Sequence, residues 1–174
     1  MRRSVLAAVA IAGVLWAATE TPVAAQDANP QPEAAQPQQR QLWAVRCTAS
    51  ARAAAPDCAV EQRAVVTENG RLLILFSVRV PADTRKPVMM VQAPLGPFLP
   101  AGVTLDVDGA GELKLDYQTC DANGCYAGSP VSDELLQAMF GGQKLNVTIQ
   151  ALNKQPVEVP LDLTGFTAAY RSVE

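Results

Sequence analysis

The sequence predicts a mainly β protein, an antiparallel β-sandwich or flattened barrel with one short α-helix and two local disulfides. About eight or nine short apolar runs follow residue 42, several of them alternating with polar residues, as in sandwiches and small barrels. One segment alone has apolar residues at helical spacing. The 4 cysteines fall into two close pairs, which is typical of disulfides in an oxidising compartment.

Residues 1–25 have the three parts of a secretory signal peptide. Arg2 and Arg3 form the positive end, an apolar run covers residues 5–18, and small residues precede a cleavage site near Ala25. The alternative is a membrane anchor, but a spanning helix needs about 20 apolar residues and this run is shorter. We therefore expect an exported mature protein without a membrane span, either periplasmic or secreted.

Residues 26–41 are rich in Pro, Gln and Ala and contain almost nothing to bury. Such a segment cannot offset the entropy lost on ordering, so we predict a disordered tether. The folded domain is predicted to cover residues 42–174.

Composition argues against several classes of function. Histidine is absent, which excludes Ser-His-Asp and Cys-His catalysis and histidine-ligated zinc. Without the first 25 residues the chain keeps 12 basic and 16 acidic residues, a net charge of −4, and only 5% of the full chain is aromatic. A nucleic-acid-binding protein would need clustered basic residues and stacking surfaces. We expect no catalytic residue, no cofactor, no metal site and no nucleic-acid partner.

The first strands follow from local patterns. Residues 42–47 are predicted to form a strand, and residues 62–67 and 71–80 a hairpin around Asn69-Gly70. The runs 72–76 and 88–91 are apolar without alternation, which indicates strands covered on both faces. The second run contains Met89 and Met90, which we assign to the core in preference to a copper site.

The segment 93–102 contains three prolines and two glycines, which predicts a rigid loop without regular structure. It also carries Phe98 and Leu99. These side chains either plug the core or are displayed to a partner, and the sequence favours plugging because apolar loop residues are usually packed.

A second hairpin is predicted from alternation in residues 103–107 and 113–117, with one buried and one solvated face. Asp106, Asp108 and Asp116 lie on its solvated side. A calcium cluster or a glycosidase pair is the alternative, but the further ligands of a calcium loop are missing. We interpret the three carboxylates as a solvated face.

One helix is predicted between Ser129 or Ser132, either of which suits the N-cap, and Gly141-Gly142. Its apolar side chains share a face that must pack against the sheet, namely Val131, Leu135, Leu136, Met139 and Phe140. Two alternating strands follow at 144–151 and 157–163, and then a short apolar tail, residues 165–170.

The cysteines allow three connectivities. We predict Cys47–Cys58 and Cys120–Cys125, because each pair closes a short loop between strand-like runs. Between the cysteines of the second pair the chain is expected to reverse at Asn123-Gly124, at the point where the last strand before the helix ends and the chain continues toward the helix. A redox role at this pair is the alternative, and we favour a structural bridge.

Taken together, these features resemble the invasion-associated locus B family of Gram-negative exported proteins. The resemblance covers residues 42–170, and its landmarks besides the four cysteines are Trp43, Gln62, Pro94, Leu95, Gly96, Leu99, Pro100, Gly102, Val103, Gly124, Gly165 and Phe166. It implies a β-rich periplasmic or surface-associated protein of a family named for host-cell invasion, and it supplies no established active site. The tether is not part of the shared pattern.

The functional hypothesis is therefore an exported, non-catalytic binding or interaction protein of the cell envelope, with an unknown protein or envelope partner. A role in host-cell invasion follows from the resemblance alone. The alternatives are a periplasmic thiol–disulfide protein and a carrier of a small apolar ligand.

Overall fold

Ten β-strands and two short α-helices form over residues 42–49, 51–52 and 54–174, which are the residues described by this computed structural model. The predicted signal peptide and tether lie outside the described residues, so both stay predictions. The strands are β1 (Ala44–Thr48), β2 (Asp57–Val65), β3 (Leu72–Val80), β4 (Val88–Ala93), β5 (Val103–Val107), β6 (Ala110–Leu115), β7 (Tyr117–Asp121), β8 (Gly124–Pro130), β9 (Lys144–Gln150) and β10 (Pro156–Asp162). The helices are α1 (Asp133–Gly141) and α2 (Phe166–Arg171).

The strands form two antiparallel sheets. The larger has the order β1-β2-β3-β4-β8-β7, and the smaller the order β10-β9-β5-β6. Strand β10 lies against β2, and β6 lies against β8. The smaller sheet therefore covers the middle of the larger one, and the edge strands β1 and β7 extend beyond it. The two sheets do not close, so the predicted mainly antiparallel β fold is confirmed as a sandwich.

One hydrophobic core fills the space between the sheets. In β3 every second residue from Ile74 to Val80 is buried, as the two-residue period of a strand requires. From the other sheet, Leu105, Leu145 and Val147 are also fully buried and belong to the same cluster.

Two short helices pack beside the sandwich. The predicted helix is confirmed as α1, whose N-cap is Ser132, since its hydroxyl accepts from the backbone N–H of Leu135 at 3.2 Å. The second helix, α2, was not predicted. It has six residues, too few for a periodic pattern, and it begins after Gly165, which adopts the left-handed conformation with φ 84°.

Several strand predictions need correction. In the part of the chain that the structure describes, nothing fully covers the outer faces of β3 and β4, since Leu75 is half-buried and Val88 and Met90 are exposed. Of the methionine pair, only Met89 belongs to the core. The predicted strand 113–117 is broken at Asp116, and Tyr117 belongs to β7 in the larger sheet.

The hairpin around Asn69-Gly70 is confirmed, with Val65 opposite Leu72. The N–H of Gly70 donates to the carbonyl of Val66, and that of Arg71 donates to the Asn69 side chain. Strand β2 begins earlier than predicted, at Asp57, and so includes Cys58.

Candidate functional site

Both disulfides tie an edge strand of the larger sheet to its neighbour. Cys47 of β1 lies directly opposite Cys58 of β2, and Cys120 of β7 lies directly opposite Cys125 of β8. In each pair the Cα atoms are 4.0 Å apart. The predicted pairing is confirmed.

Both sulfur pairs lie on the core side of the larger sheet. Cys58 lies opposite Val80 and Cys125 opposite Ala93, and both of these partners are buried. Opposed residues in a sheet point to the same face. The disulfides therefore flank the core at the two sides where the smaller sheet ends.

The predicted link between the second disulfide and the helix is wrong. Cys125 is buried within β8, and α1 begins only at Asp133. The turn itself consists of Ala122 and Asn123, with Asp121 opposite Gly124. A helix N-terminus lowers a thiol pKa only when it lies next to the thiol, so the proposed basis for redox activation at Cys125 is lost.

Removing either disulfide should destabilise the domain, and removing the one that closes the longer loop should destabilise it more. We expect Cys47→Ala/Cys58→Ala to cost about 3 kcal/mol of unfolding free energy and Cys120→Ala/Cys125→Ala about 2 kcal/mol. Urea unfolding of the two double variants measures both values. A larger loss for the second pair would contradict this ranking.

Four family-motif residues meet at the end of β10. The indole N–H of Trp43 and the side-chain amide of Gln62 both donate to the backbone carbonyl of Asp162, at 3.0 and 3.2 Å. The Trp43 ring packs edge-on against Phe166 with centroids 4.8 Å apart, and Gly165 places Phe166 at the start of α2. These residues join the first strand to the C-terminal segment. The role of Asp162 was missed, since a backbone carbonyl leaves no signal in a side-chain pattern.

The remaining motif residues surround the loop from Pro94 to Gly102. A Cβ on Gly102 would lie 2.3 Å from the carbonyl oxygen of Leu115, and one on Gly124 would lie 2.3 Å from that of Ala93. Both glycines have positive φ, 69° and 153°. They allow the backbone contacts that hold the two ends of the loop.

The loop is also joined to the turn between β9 and β10. Pro97 bridges Ala151, and the N–H of Phe98 donates to the carbonyl of Gln150 at 2.8 Å. Lys154, in the left-handed conformation with φ 65°, places its ammonium 5.0 Å from the centre of the Phe98 ring. Such a contact contributes about 0.5–1 kcal/mol at an exposed site. The two loops thus form one surface.

This surface displays apolar side chains. Leu95 is 60% exposed, Leu99 48% and Leu152 75%, while Phe98 is half-buried. We call these four residues the leucine surface. The prediction that the loop plugs the core is wrong for Leu99, which lies in a 3-10 turn, Leu99–Ala101. Leu152 was missed, although an apolar residue in the polar turn 152–155 was a usable signal.

The three aspartates of the second hairpin form no common site. Asp106 accepts from the N–H of Gly109 and the amide of Asn146 at 2.7 and 2.8 Å. Asp108 accepts from the N–H of Gln143, just before β9, and from that of Lys144, the first residue of β9. Both carboxylates fix turns. Among the described residues no group of three His, Cys, Asp or Glu side chains is arranged to hold a metal ion.

Asp121 has a similar role in the turn of the second disulfide. The N–H of Asn123 donates to its carboxylate at 2.7 Å, and the N–H of Gly124 and the hydroxyl of Tyr126 also donate. The Asn123 N–H is the main reason that the pKa of Asp121 lies below its usual value. This internal network fixes the hairpin next to the loop.

An open cleft lies at the opposite end of the sandwich. It is lined by Ala55, Asp57, Arg79, Pro81, Ala82 and Asp83. Asp57 accepts from the N–H of Ala82 at 2.9 Å and lies 3.9 Å from an Arg79 nitrogen. Its carboxylate is occupied by structural contacts, so the leucine surface is the better candidate.

Ionisation of Tyr117 is expected to lower the unfolding free energy at alkaline pH. Its hydroxyl is buried without a hydrogen-bond partner in the part of the chain that is described, and burial raises the pKa of Tyr117 to about 12. Both states are protonated below pH about 10, and the unfolded chain loses the proton first above it. Unfolding free energy should therefore fall between pH about 10 and 12. Tyr117→Phe should remove this part of the fall, as unfolding at several pH values would show.

Among the described residues, no helix has the length and apolar character that crossing a membrane requires. The class that these features define is a disulfide-bonded antiparallel β-sandwich with a displayed apolar loop. The family model described as "Invasion associated locus B (IalB) protein" matches residues 43–174. The chain belongs to this family, as its motifs predicted.

Two curated relatives support the same assignment. Invasion protein B homologs from two strains of Brucella abortus, 2308 and 9-941, are each 30% identical over 137 residues. Each alignment covers 77% of this chain and 76% of the relative.

A solved structure is similar in fold. The crystal structure of invasion associated protein B from Bartonella henselae matches with a TM-score of 0.65 and 21% sequence identity. The match covers 76% of this chain and 90% of the other. This likeness supports the two-sheet fold.

Proposed function

We propose that the protein is an exported, non-catalytic binding protein of the cell envelope, and that the leucine surface is its recognition site. The observation that carries the proposal is the exposure of Leu95, Leu99 and Leu152 on two loops that are fixed to each other. Large apolar side chains on a rigid loop cost little conformational entropy when they bind. The fully buried centre of an interface is more apolar than its rim, which is the part of an interface that such side chains fit.

Location outside the cytoplasm is part of the proposal. The predicted signal peptide supports it, and so do two disulfides, which persist in the periplasm and outside the cell. The relatives are named invasion proteins, which supports a role of this protein, through its partner, in host-cell invasion.

The proposal of a non-catalytic protein is supported by the absence of histidine and by relatives whose names indicate no enzyme. A carrier of an apolar ligand is less well supported. Ile74, Phe76, Leu105 and Leu145 are fully buried between the sheets, and a ligand there would have to displace them. Turnover of esters, glycosides or peptides by the purified mature protein would contradict the proposal.

Surface variants test the recognition site. We expect Leu95→Ser and Leu99→Ser each to weaken binding to the native cell-envelope fraction by about tenfold or more, because each removes an apolar anchor. Met90→Ser is the matched control, since Met90 is 46% exposed and Leu99 48%, but Met90 lies on the outer face of β4.

Binding isotherms from cosedimentation measure the effect, and thermal unfolding checks that each variant is folded. If the two leucine variants bind as well as the Met90 control, the leucine surface is not the recognition site.

A further inference from the structure

We propose that the partner of the leucine surface is a phospholipid surface, into which Leu95, Leu99 and Leu152 insert at the headgroup boundary. This inference rests on the proposed function and adds the chemistry of the partner. Four features of the surface support it, namely its shape, its area, its backbone hydrogen bonds and its charges.

The first feature is shape, since the leucine side chains project from the tips of the two loops. Leu152 is 75% exposed and Leu95 60%, so most of each side chain stands in solvent at the tip of a loop. A protein partner would need a matching pocket for each tip. A bilayer accepts projecting apolar side chains without one, as it does from interfacial helices.

The area is small. Three leucine tips and part of the Phe98 ring expose on the order of 300 Å² of apolar surface, whereas a stable protein complex buries roughly 800 Å² on each partner. A second copy of the chain would therefore bury too little on this surface alone. Shallow insertion needs no minimum footprint, because its free energy grows with the apolar area buried.

Part of the backbone of the two loops either lacks an N–H donor or has its N–H hydrogen-bonded within the protein. Pro94, Pro97 and Pro100 have no N–H to desolvate. The N–H of Phe98 donates to Gln150, that of Ala101 to Phe98, and that of Gly102 to Leu99. On the second loop, the N–H groups of Ala151 and Lys154 donate within the turn. Unsatisfied backbone groups are costly in lipid, so this pattern lowers the cost of insertion.

Two lysines flank the apolar tips. The ammonium of Lys154 lies above the Phe98 ring, and the end of the Lys114 side chain lies beside Gly102. Long lysine side chains can keep their charge at phosphate level while their stems contact apolar groups. The nearby carboxylate of Asp121 accepts hydrogen bonds from its own turn, which favour its ionised form, so its negative charge opposes binding to an anionic surface. The expected net charge of −4 opposes binding to an anionic membrane, so attraction must be local.

Tryptophan fluorescence in vesicles tests the proposal. Leu152→Trp places a reporter on the tip, and Met90→Trp places the control reporter on the outer face of β4. The probes are vesicles of phosphatidylcholine, of phosphatidylcholine with phosphatidylglycerol, and of lipid extracted from the native envelope. The protein used lacks the predicted signal peptide and with it Trp16, so the remaining native tryptophan is Trp43, which is 3% exposed and gives a constant background.

We expect Leu152→Trp emission to shift to shorter wavelength with vesicles, while Met90→Trp emission does not move. In the Leu152→Trp background, Leu95→Ser and Leu99→Ser should each lower the partition coefficient about tenfold. Lys154→Gln should weaken binding to vesicles containing phosphatidylglycerol and leave binding to phosphatidylcholine unchanged, because only the first carries net negative charge.

The result that overturns the inference is the lack of a shift with all three vesicle preparations. If the leucine variants still lose binding to the native envelope in that case, the partner is a protein and the proposed function stands. If those variants bind the envelope normally as well, the proposed function fails too.

Discussion

Replacing Trp43 by alanine is expected to lower the unfolding free energy by about 3–5 kcal/mol, as is typical when a large buried aromatic side chain is removed. The Trp43 ring is 3% exposed and contacts Phe76 and Phe166 edge-on. The substitution leaves a cavity where the edge strand β1 meets the C-terminal segment. Urea unfolding followed by circular dichroism measures the loss.

The control is Trp43→Phe, which keeps an aromatic ring and removes the N–H that donates to Asp162. We expect a cost of about 1–2 kcal/mol, because Gln62 still donates to the same carbonyl. A loss below 1 kcal/mol for Trp43→Ala would mean that this contact does not hold the ends of the domain together.

Gly102→Ala is expected to cost about 3–5 kcal/mol, because it adds backbone overlap to an unfavourable conformation. Gly70 provides a partial comparison, since its φ is 68° against 69° for Gly102, although the ψ of −158° at Gly102 lies in a region that essentially only glycine occupies. A Cβ on Gly70 meets nothing within 4 Å, whereas one on Gly102 would lie 2.3 Å from the Leu115 carbonyl. Gly70→Ala should therefore cost about 1–2 kcal/mol, from the conformation alone.

The difference between the two unfolding free energies measures the close contact together with the stricter backbone conformation at Gly102. Equal costs would show that the backbone at Gly102 can move away from Leu115 without loss. Under mild conditions that keep Gly102→Ala folded, the variant should also bind the envelope more weakly, because the loop that carries Leu95 and Leu99 is held at this point.

Local patterns predicted the fold class well. Alternation identified β5, β9 and β10, Asn69-Gly70 identified a hairpin, and the spacing of the cysteines gave both disulfides. Each of these features depends on residues close together in the chain. The family motifs added a correct family assignment.

Features that depend on contacts between distant parts of the chain were harder to predict from the sequence. Strand β4 pairs with β8 and β5 pairs with β9 over long separations in the chain, which no local pattern reports. The alternation through Leu115 and Tyr117 continues unbroken in the sequence, although the chain changes sheet at Asp116. Met90 is exposed because no part of the described chain forms a second layer over that face of β4, which a period-two pattern cannot report.

The candidate site was identified only in part. The motif residues Pro94, Leu95, Gly96, Pro100 and Gly102 mark the loop correctly, but whether an apolar loop residue is packed or displayed depends on the space beneath it. Trp43, Gln62, Gly165 and Phe166 belong to the structural contact at Asp162. The predicted family landmarks thus include residues that hold the fold together and residues of the loop that carries the leucine surface.

The most direct test of that surface is photo-cross-linking in the native cells. A photoreactive amino acid is placed at Leu95 in one strain and at Met90 in another, two exposed positions at different places on the domain. A recognition site at the leucine surface predicts cross-links to envelope components from position 95 and none from position 90. Equal cross-linking from both positions, or none from position 95, would contradict it.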